Sequence, residues 1–245
     1  MRKYFLRISS RFFLFIAASV GCSEKSDPAP VVCYLASVSS TYESGNKTSS
    51  TYVYNDKNQL VSLTDSSTGV TDIYTYDGSG KITQIGDRTF SYDANNRVVK
   101  LEDKFNVRSY AYNGIGQLIS HVTEARVLPT VRYTKKLEYL NASTQNYTKA
   151  TFTQTIISNS ITSTTGVTNY EYDTKTNPYK LTVPVSLQSD NNIVKISTTS
   201  GSYTQVETFT YQYNERGYPI SSLYSLSNNN GYKLTISNTY SYMCK

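Results

Sequence analysis

The 245-residue chain has no Trp, a single His, three Cys and two Met. Chemistry built on histidine has one residue to draw on, so haem ligation, His-rich zinc sites and Ser-His-Asp catalysis find little support. Charge is sparse at 17%, and hydrophobic residues reach only 38% against a globular norm of roughly 45–50%. A thick apolar core is therefore out of reach. What the chain has instead is tyrosine, 24 residues in all, in a background of Ser, Thr and Asn with a mean hydropathy of -0.44.

The first segment stands apart from that composition. Arg2, Lys3, Arg7 and Arg11 precede the apolar run from Phe12 to Ala18, and small residues lead to Cys22. A basic n-region, an apolar stretch too short to span a bilayer and a small-residue cleavage site predict a secretory signal over 1–21. Ser19-Val20-Gly21-Cys22 resembles the bacterial lipobox, with Ser19 where Leu is usual. That resemblance implies lipidation of Cys22 and attachment to a membrane through acyl chains. The alternative is an ordinary signal peptidase site that leaves Cys22 as a free thiol.

Residues 22–31 are polar and proline-bearing without hydrophobic period, which suits a flexible tether. Glu24 and Asp27 just after Cys22 resemble the export signals of surface-displayed lipoproteins, so the expected location is the outer membrane, facing outward. Loss of the leader removes four of 24 basic residues and none of the 18 acidic ones. The pI near 9.0 then carries no argument for nucleic acid, and no nucleic-acid partner is expected. Two cysteines remain, Cys33 and Cys244, near the ends of the segment 32–245 that is read as one domain. In an oxidising compartment such a pair reads first as a disulfide; two small buried hydrophobes are the alternative.

The strongest signal is periodic. Tyr52-Val-Tyr54-Asn55-Asp-Lys-Asn58-Gln-Leu60 recurs as Tyr74-Thr-Tyr76-Asp77-Gly-Ser-Gly80-Lys-Ile82, as Phe90-Ser-Tyr92-Asp93-Ala-Asn-Asn96-Arg-Val98, and as Tyr110-Ala-Tyr112-Asn113-Gly-Ile-Gly116-Gln-Leu118. Looser copies start at Tyr170 with Asp173 and at Tyr211 with Asn214, and Tyr240-Ser-Tyr242 begins another. Aromatic-x-aromatic puts two rings on one face of a strand, because side chains alternate with period two. Asp or Asn next can bond its own backbone two residues on, and Gly or Asn three later tolerates positive φ. Each copy therefore predicts a β-hairpin, with turn positions at Asn55, Asp77, Asp93, Asn113, Asp173 and Asn214.

Aromatic-x-Tyr-Asp-x-x-Gly-x-Leu resembles the YD or RHS repeat of bacterial surface and toxin proteins. Large members of that group curl such hairpins into a hollow shell, which six copies are too few to close. The layout of lipobox, short tether and Tyr-rich hairpins is also similar to a family of uncharacterised bacterial lipoproteins with a porin-like antiparallel barrel. The β-rich segments and turns count to about sixteen strands with no helix after the signal peptide, an all-β meander, and the resemblance implies that it curves into a barrel. The repeat covers 52–123 well and 170–223 loosely; the stretch between is β-branched and reads as strand on composition alone. Closing the meander would remove its open edges. The face opposite the tyrosines carries Lys233, Thr235, Ser237, Thr239 and Ser241, and a spanning barrel would need a lipid-facing apolar band there. An anchored barrel standing in water is the expected arrangement.

Candidate chemistry is thin. His121 falls where earlier copies place Leu63, Ile85 and Leu101, which makes it a packing position. The turn carboxylates Asp77, Asp93 and Asp173 could line a Ca²⁺-binding rim, but Asn replaces Asp in half of the copies, which favours turn capping. No catalytic, metal-binding or cofactor residue is assigned. Three roles stay open: a non-catalytic scaffold binding a glycan or protein, a structural envelope component, and a glycosidase using two carboxylates about 5–10 Å apart.

Overall fold

A computed structural model describes residues 32–126, 130–139, 142–157, 161–184 and 187–245. The leader 1–21, the lipidation position Cys22 and the tether 22–31 lie outside these residues. Sixteen strands follow one another: β1 (Cys33–Tyr42), β2 (Lys47–Tyr54), β3 (Leu60–Asp65), β4 (Thr71–Tyr76), β5 (Ile82–Ile85), β6 (Arg88–Tyr92), β7 (Val98–Glu102) and β8 (Asn106–Tyr112) form the first half. The second half comprises β9 (Leu118–Ala125), β10 (Thr130–Tyr139), β11 (Tyr147–Ile157), β12 (Ile161–Thr176), β13 (Asn191–Ser200), β14 (Tyr203–Tyr213), β15 (Pro219–Asn228) and β16 (Lys233–Cys244). Each strand pairs antiparallel with its sequence neighbours, and β1 pairs with β16. The meander is thus closed into a barrel, which leaves no open edge to template aggregation. Among the described residues there is no α-helix; the 3₁₀ turn Pro178–Leu181 interrupts the all-β pattern.

Because the strand number is even, the chain enters and leaves the barrel on one rim, here called the terminal rim. Cys33 and Cys244 meet there as partners in the β1–β16 ladder and are joined by a disulfide with an S–S distance of 2.01 Å. All connections from an even strand to the next odd one also lie on this rim. Five of them share one geometry. The Asn55 side-chain oxygen accepts from the backbone N–H groups of Lys57 and Gln59 at 3.0 and 2.9 Å; Asp77, Asp93, Asn113 and Asn214 do the same two and four residues on. The fourth turn residue has positive φ, as at Asn96 (61°) and Gly116 (89°), and a register shift follows in each hairpin. Asp and Asn serve equally because the oxygen, not the charge, closes the turn.

Asp173 differs from the expected turn position. It lies inside β12, and its carboxylate accepts from the backbone of Lys175 and of Asn192 on the neighbouring strand. The chain runs on to Thr176 and only then leaves the wall, and the described residues of the following segment, 177–184 and 187–190, fold into the lumen.

The aromatic pairs face inward, and the second tyrosine of a pair holds one hairpin to the next. The hydroxyl of Tyr54 donates to the Leu35 carbonyl at 3.0 Å, Tyr76 to Leu60 at 2.7 Å, Tyr92 to Ile82 at 2.5 Å and Tyr112 to Val98 at 2.8 Å. The series continues with Tyr139 to Leu118, Tyr172 to Tyr147 and Tyr242 to Pro219. On β14 the first ring of the pair, Tyr211, takes over and reaches Ile193 at 3.2 Å. Every even strand is therefore tied to the odd strand before it by a phenol, and each such bond contributes on the order of 1 kcal/mol. Burial pushes Tyr54, Tyr92 and Tyr139 up to about 12, so these groups stay protonated donors throughout the physiological range.

Two apolar clusters line the wall. One gathers Leu35, Tyr52, Leu60, Tyr74 and Ile85; the other gathers Leu118, Leu137 and Ala150 under a cover of tyrosines. The inserted segment touches both, through Tyr179 and Val183 on one side and Leu187 on the other. Outside, the wall is hydroxyl-rich and ion-paired. Lys149 with Glu138 (2.9 Å) and Lys195 with Glu171 (2.8 Å) are cross-strand pairs whose side chains are 42–60% exposed. Apolar residues on this face, such as Val53, Ile73, Val206 and Leu223, are scattered.

Candidate binding cavity in the lumen

The inserted segment begins at Asn177, whose Oδ1 accepts from the Tyr179 N–H at 3.0 Å and so starts the 3₁₀ turn. Pro178 follows at the first turn position, where its fixed φ fits and its missing donor is not needed. The turn drives the Tyr179 ring against Tyr240, with centroids 6.5 Å apart. The Thr182 carbonyl accepts from the buried Tyr74 hydroxyl at 3.0 Å. At the far end Asp190 pairs with Lys180 and accepts from the Gln145 N–H at 2.8 Å. Burial opposes its ionisation, but Lys180 and that N–H outweigh it and hold the carboxyl below its ordinary value. Both ends of the insertion are thereby fastened.

Between the insertion and the wall lies a cavity of about 370 Å³, near the lower end of the range for small-ligand sites, roughly 300–1,000 Å³. Its aromatic lining is Tyr147 of β11, Tyr179 of the insertion, and Phe209 and Tyr211 of β14. The Phe209 and Tyr211 rings are nearly parallel, at 9° with centroids 6.3 Å apart, because residues two apart on a strand project from the same face. The polar lining is made of amides and hydroxyls: Asn177, Thr182, Gln188 and Ser189 from the insertion and Asn192 from β13. Burial raises Tyr147, Tyr179 and Tyr211 above the ordinary phenol value, so the lining is neutral and rich in donors.

Asn192 is 3% exposed. Its Nδ2 is taken up by Asp173 and by the Tyr213 hydroxyl, and Tyr213 also donates to Asp173. Asp173 therefore acts here as a bracket that orients Asn192 toward the cavity, a role its place in the repeat did not suggest. Gln188 and Asn177 gave no sequence signal either, since neither belongs to a periodic pattern.

A second inward group lies on the other wall. Arg108, His121 and Lys135 occupy inward register positions on β8, β9 and β10, with His121 opposite both Tyr110 and Lys135. The Lys135 ammonium donates to the Tyr170 hydroxyl at 3.0 Å and sits over the Tyr147 ring at 5.3 Å. Burial first, then Lys135 and Arg108, lowers His121 to about 4. Its Nδ1 is buried without a hydrogen-bond partner. The ring packs between Tyr110 and Tyr133, at 6.0 and 6.3 Å.

The carboxylates are committed elsewhere. Glu102 and Asp103 share a surface depression with Asp87, but Glu102 pairs with Lys100 and Arg126. Asp103 caps its own turn through the N–H groups of Phe105 and Asn106, which overcome burial and hold it below the ordinary value. The Ser79 hydroxyl, then the Lys81 N–H, holds Asp77 low, and the Arg97 backbone and guanidinium hold Asp93 low. A glycosidase acid needs the opposite shift. Among the described residues no group of three or more His, Cys, Asp or Glu side chains is placed to hold a metal ion.

The Teneurin YD-shell family model matches residues 35–135, from β1 into β10. Among solved structures, a porin-like protein from Bacteroides vulgatus ATCC 8482 is 12% identical, with 86% of this chain and 99% of that chain covered and a TM-score of 0.57. A porin-like protein from Bacteroides uniformis ATCC 8492 is 14% identical, with 85% and 96% covered and a TM-score of 0.42. None of the curated proteins matches the chain. The hairpins over 35–135 match the YD type, and the closed antiparallel barrel is porin-like in fold.

Proposed function

We propose that this porin-like barrel of YD-type hairpins is a lipid-anchored protein of the cell envelope that binds a partner without catalysis. The outer wall carries the argument. Exposed ion pairs such as Lys149–Glu138 and Lys195–Glu171 and rows of Thr, Ser and Gln along β14 and β16 would each have to be desolvated in a bilayer, at a cost of several kcal/mol per charge. Such a barrel stands in water and needs an anchor to stay at a membrane. Cys22 in its lipobox-like setting supplies one, ten residues before the terminal rim, and acyl chains there would hold that rim toward the bilayer. The aromatic, insertion-lined lumen favours a binding role over a purely structural one.

Growth with labelled palmitate, followed by protease treatment of intact cells, tests this reading. Label is expected in the wild-type chain and absent from Cys22→Ser, and protease is expected to digest the protein on intact cells. An unlabelled protein would overturn the anchor, and a labelled but protected one would move it to the inner leaflet.

A further inference from the structure

We infer that the lumenal cavity is a binding site for a neutral saccharide, of about mono- to disaccharide size. This deepens the binding role proposed above and names its ligand class. The lining contains no charged side chain, which disfavours anionic and cationic ligands, since a buried charge without a partner is costly. Aromatic and amide groups then divide the work. The rings of Phe209 and Tyr211 offer apolar aromatic surface against which the C–H face of a pyranose can pack, and Tyr179 lines the space from the insertion. Around the ring edge a sugar presents hydroxyls that both donate and accept. Asn192 and Gln188 answer with side-chain amides.

These amides have valences to spare. The Asn192 Nδ2 is held by Asp173 and Tyr213, which fixes the side chain with its Oδ1 left to accept. Gln188 receives one long bond from Asn177, at 3.5 Å, so its Nε2 is left to donate. A bracketed acceptor, a donor and aromatic rings converging on about 370 Å³ suit a ring that is apolar on its faces and polar at its edge. A peptide segment would need an extended groove or a sheet edge, and the closed barrel offers no edge.

Isothermal titration and tyrosine emission, undistorted by tryptophan since the chain has none, read the binding. The probes are glucose, galactose, mannose, N-acetylglucosamine, maltose, lactose and cellobiose, with glucuronate as the charged control, added to the full lipid-free protein at millimolar concentrations. Saturable binding of at least one neutral probe is expected, together with a change in tyrosine emission. Phe209→Leu and Gln188→Ala should each weaken it about tenfold, equivalent to roughly 1.4 kcal/mol, while far-UV circular dichroism stays unchanged. Gln188 lies on the insertion and not in the wall, so its variant stays informative if Phe209→Leu does not fold. No saturable binding by any neutral probe would overturn the inference, as would equal affinity for glucuronate and glucose, or binding indifferent to both substitutions. A protein that is palmitoylated and protease-accessible but binds no sugar would refute this inference alone.

Discussion

Removing the Cys33–Cys244 bridge should destabilise the barrel through its unfolded chain. The bridge closes a loop with a sequence separation of 211, for which chain entropy gives about 5 kcal/mol at room temperature. In the double variant Cys33→Ser, Cys244→Ser, the β1–β16 ladder still runs from Tyr34 to Tyr42, so the native barrel stays closed. The loss should therefore fall on the folding rate, because β1 and β16 must find each other across the whole chain. Unfolding should change little. At roughly 2–4 °C per kcal/mol for a domain of this length, the melting temperature should drop by about 10–20 °C. Guanidinium titration of the oxidised protein and the double variant measures the equilibrium term, and stopped-flow jumps in both directions separate the rates. A loss below about 1 kcal/mol would refute the reasoning. So would a fast-unfolding variant with an unchanged folding rate, since the bridge would then act through native contacts.

Three further outcomes follow from the wall and the turns. Tyr76→Phe deletes the hydroxyl bond to the Leu60 carbonyl and should cost about 1 kcal/mol in denaturant titration, whereas Tyr232→Phe, on a ring 54% exposed, should change nothing measurable. Gly116→Ala puts a Cβ on a residue at φ 89° and should cost about 1–2 kcal/mol, while Asn96→Gly at the equivalent position should be near neutral in the same titration. His121 is lowered from 6.5 to about 4 in the folded state, so below pH 6.5 the unfolded chain binds more protons and stability falls until about pH 4. At about 1.4 kcal/mol per unit, and with solvent screening of a partly exposed ring, the loss should be about 1–3 kcal/mol. A His121→Leu chain melted across the same pH range should lack that component.

The hairpins were legible in the sequence because each is a local device: two inward rings, an Asx oxygen and a residue tolerant of positive φ. Seven of the eight even strands carry an aromatic pair that period-two alternation reveals. The eighth, β10, hides its copy because Leu137 replaces the first ring, yet Tyr139 still bonds the Leu118 carbonyl. The lumenal insertion was not legible. Asn177-Pro178-Tyr179 is aperiodic, and its inward path depends on contacts to Tyr74 and Tyr240 more than 50 residues away in either direction. The cavity inherits that difficulty, since Asn192 and Gln188 gain meaning only when the insertion lies against β13 and β14. Asp173 misled for the opposite reason, its local motif being overridden by the bonds it makes to Asn192 and Tyr213.

The pairing of each phenol with the strand before it makes the hairpin a unit of growth. Duplicating one hairpin would add two strands, widen the circumference by roughly 10 Å, and bring with it the hydroxyl that joins the new unit to its neighbour. The strand count would stay even, so Cys33 and Cys244 would still arrive side by side on one rim and the same covalent clasp would fit a wider barrel. Adding a single strand would send the two cysteines to opposite ends. A lineage of such barrels can thus vary its bore in steps of two strands without redesigning its closure.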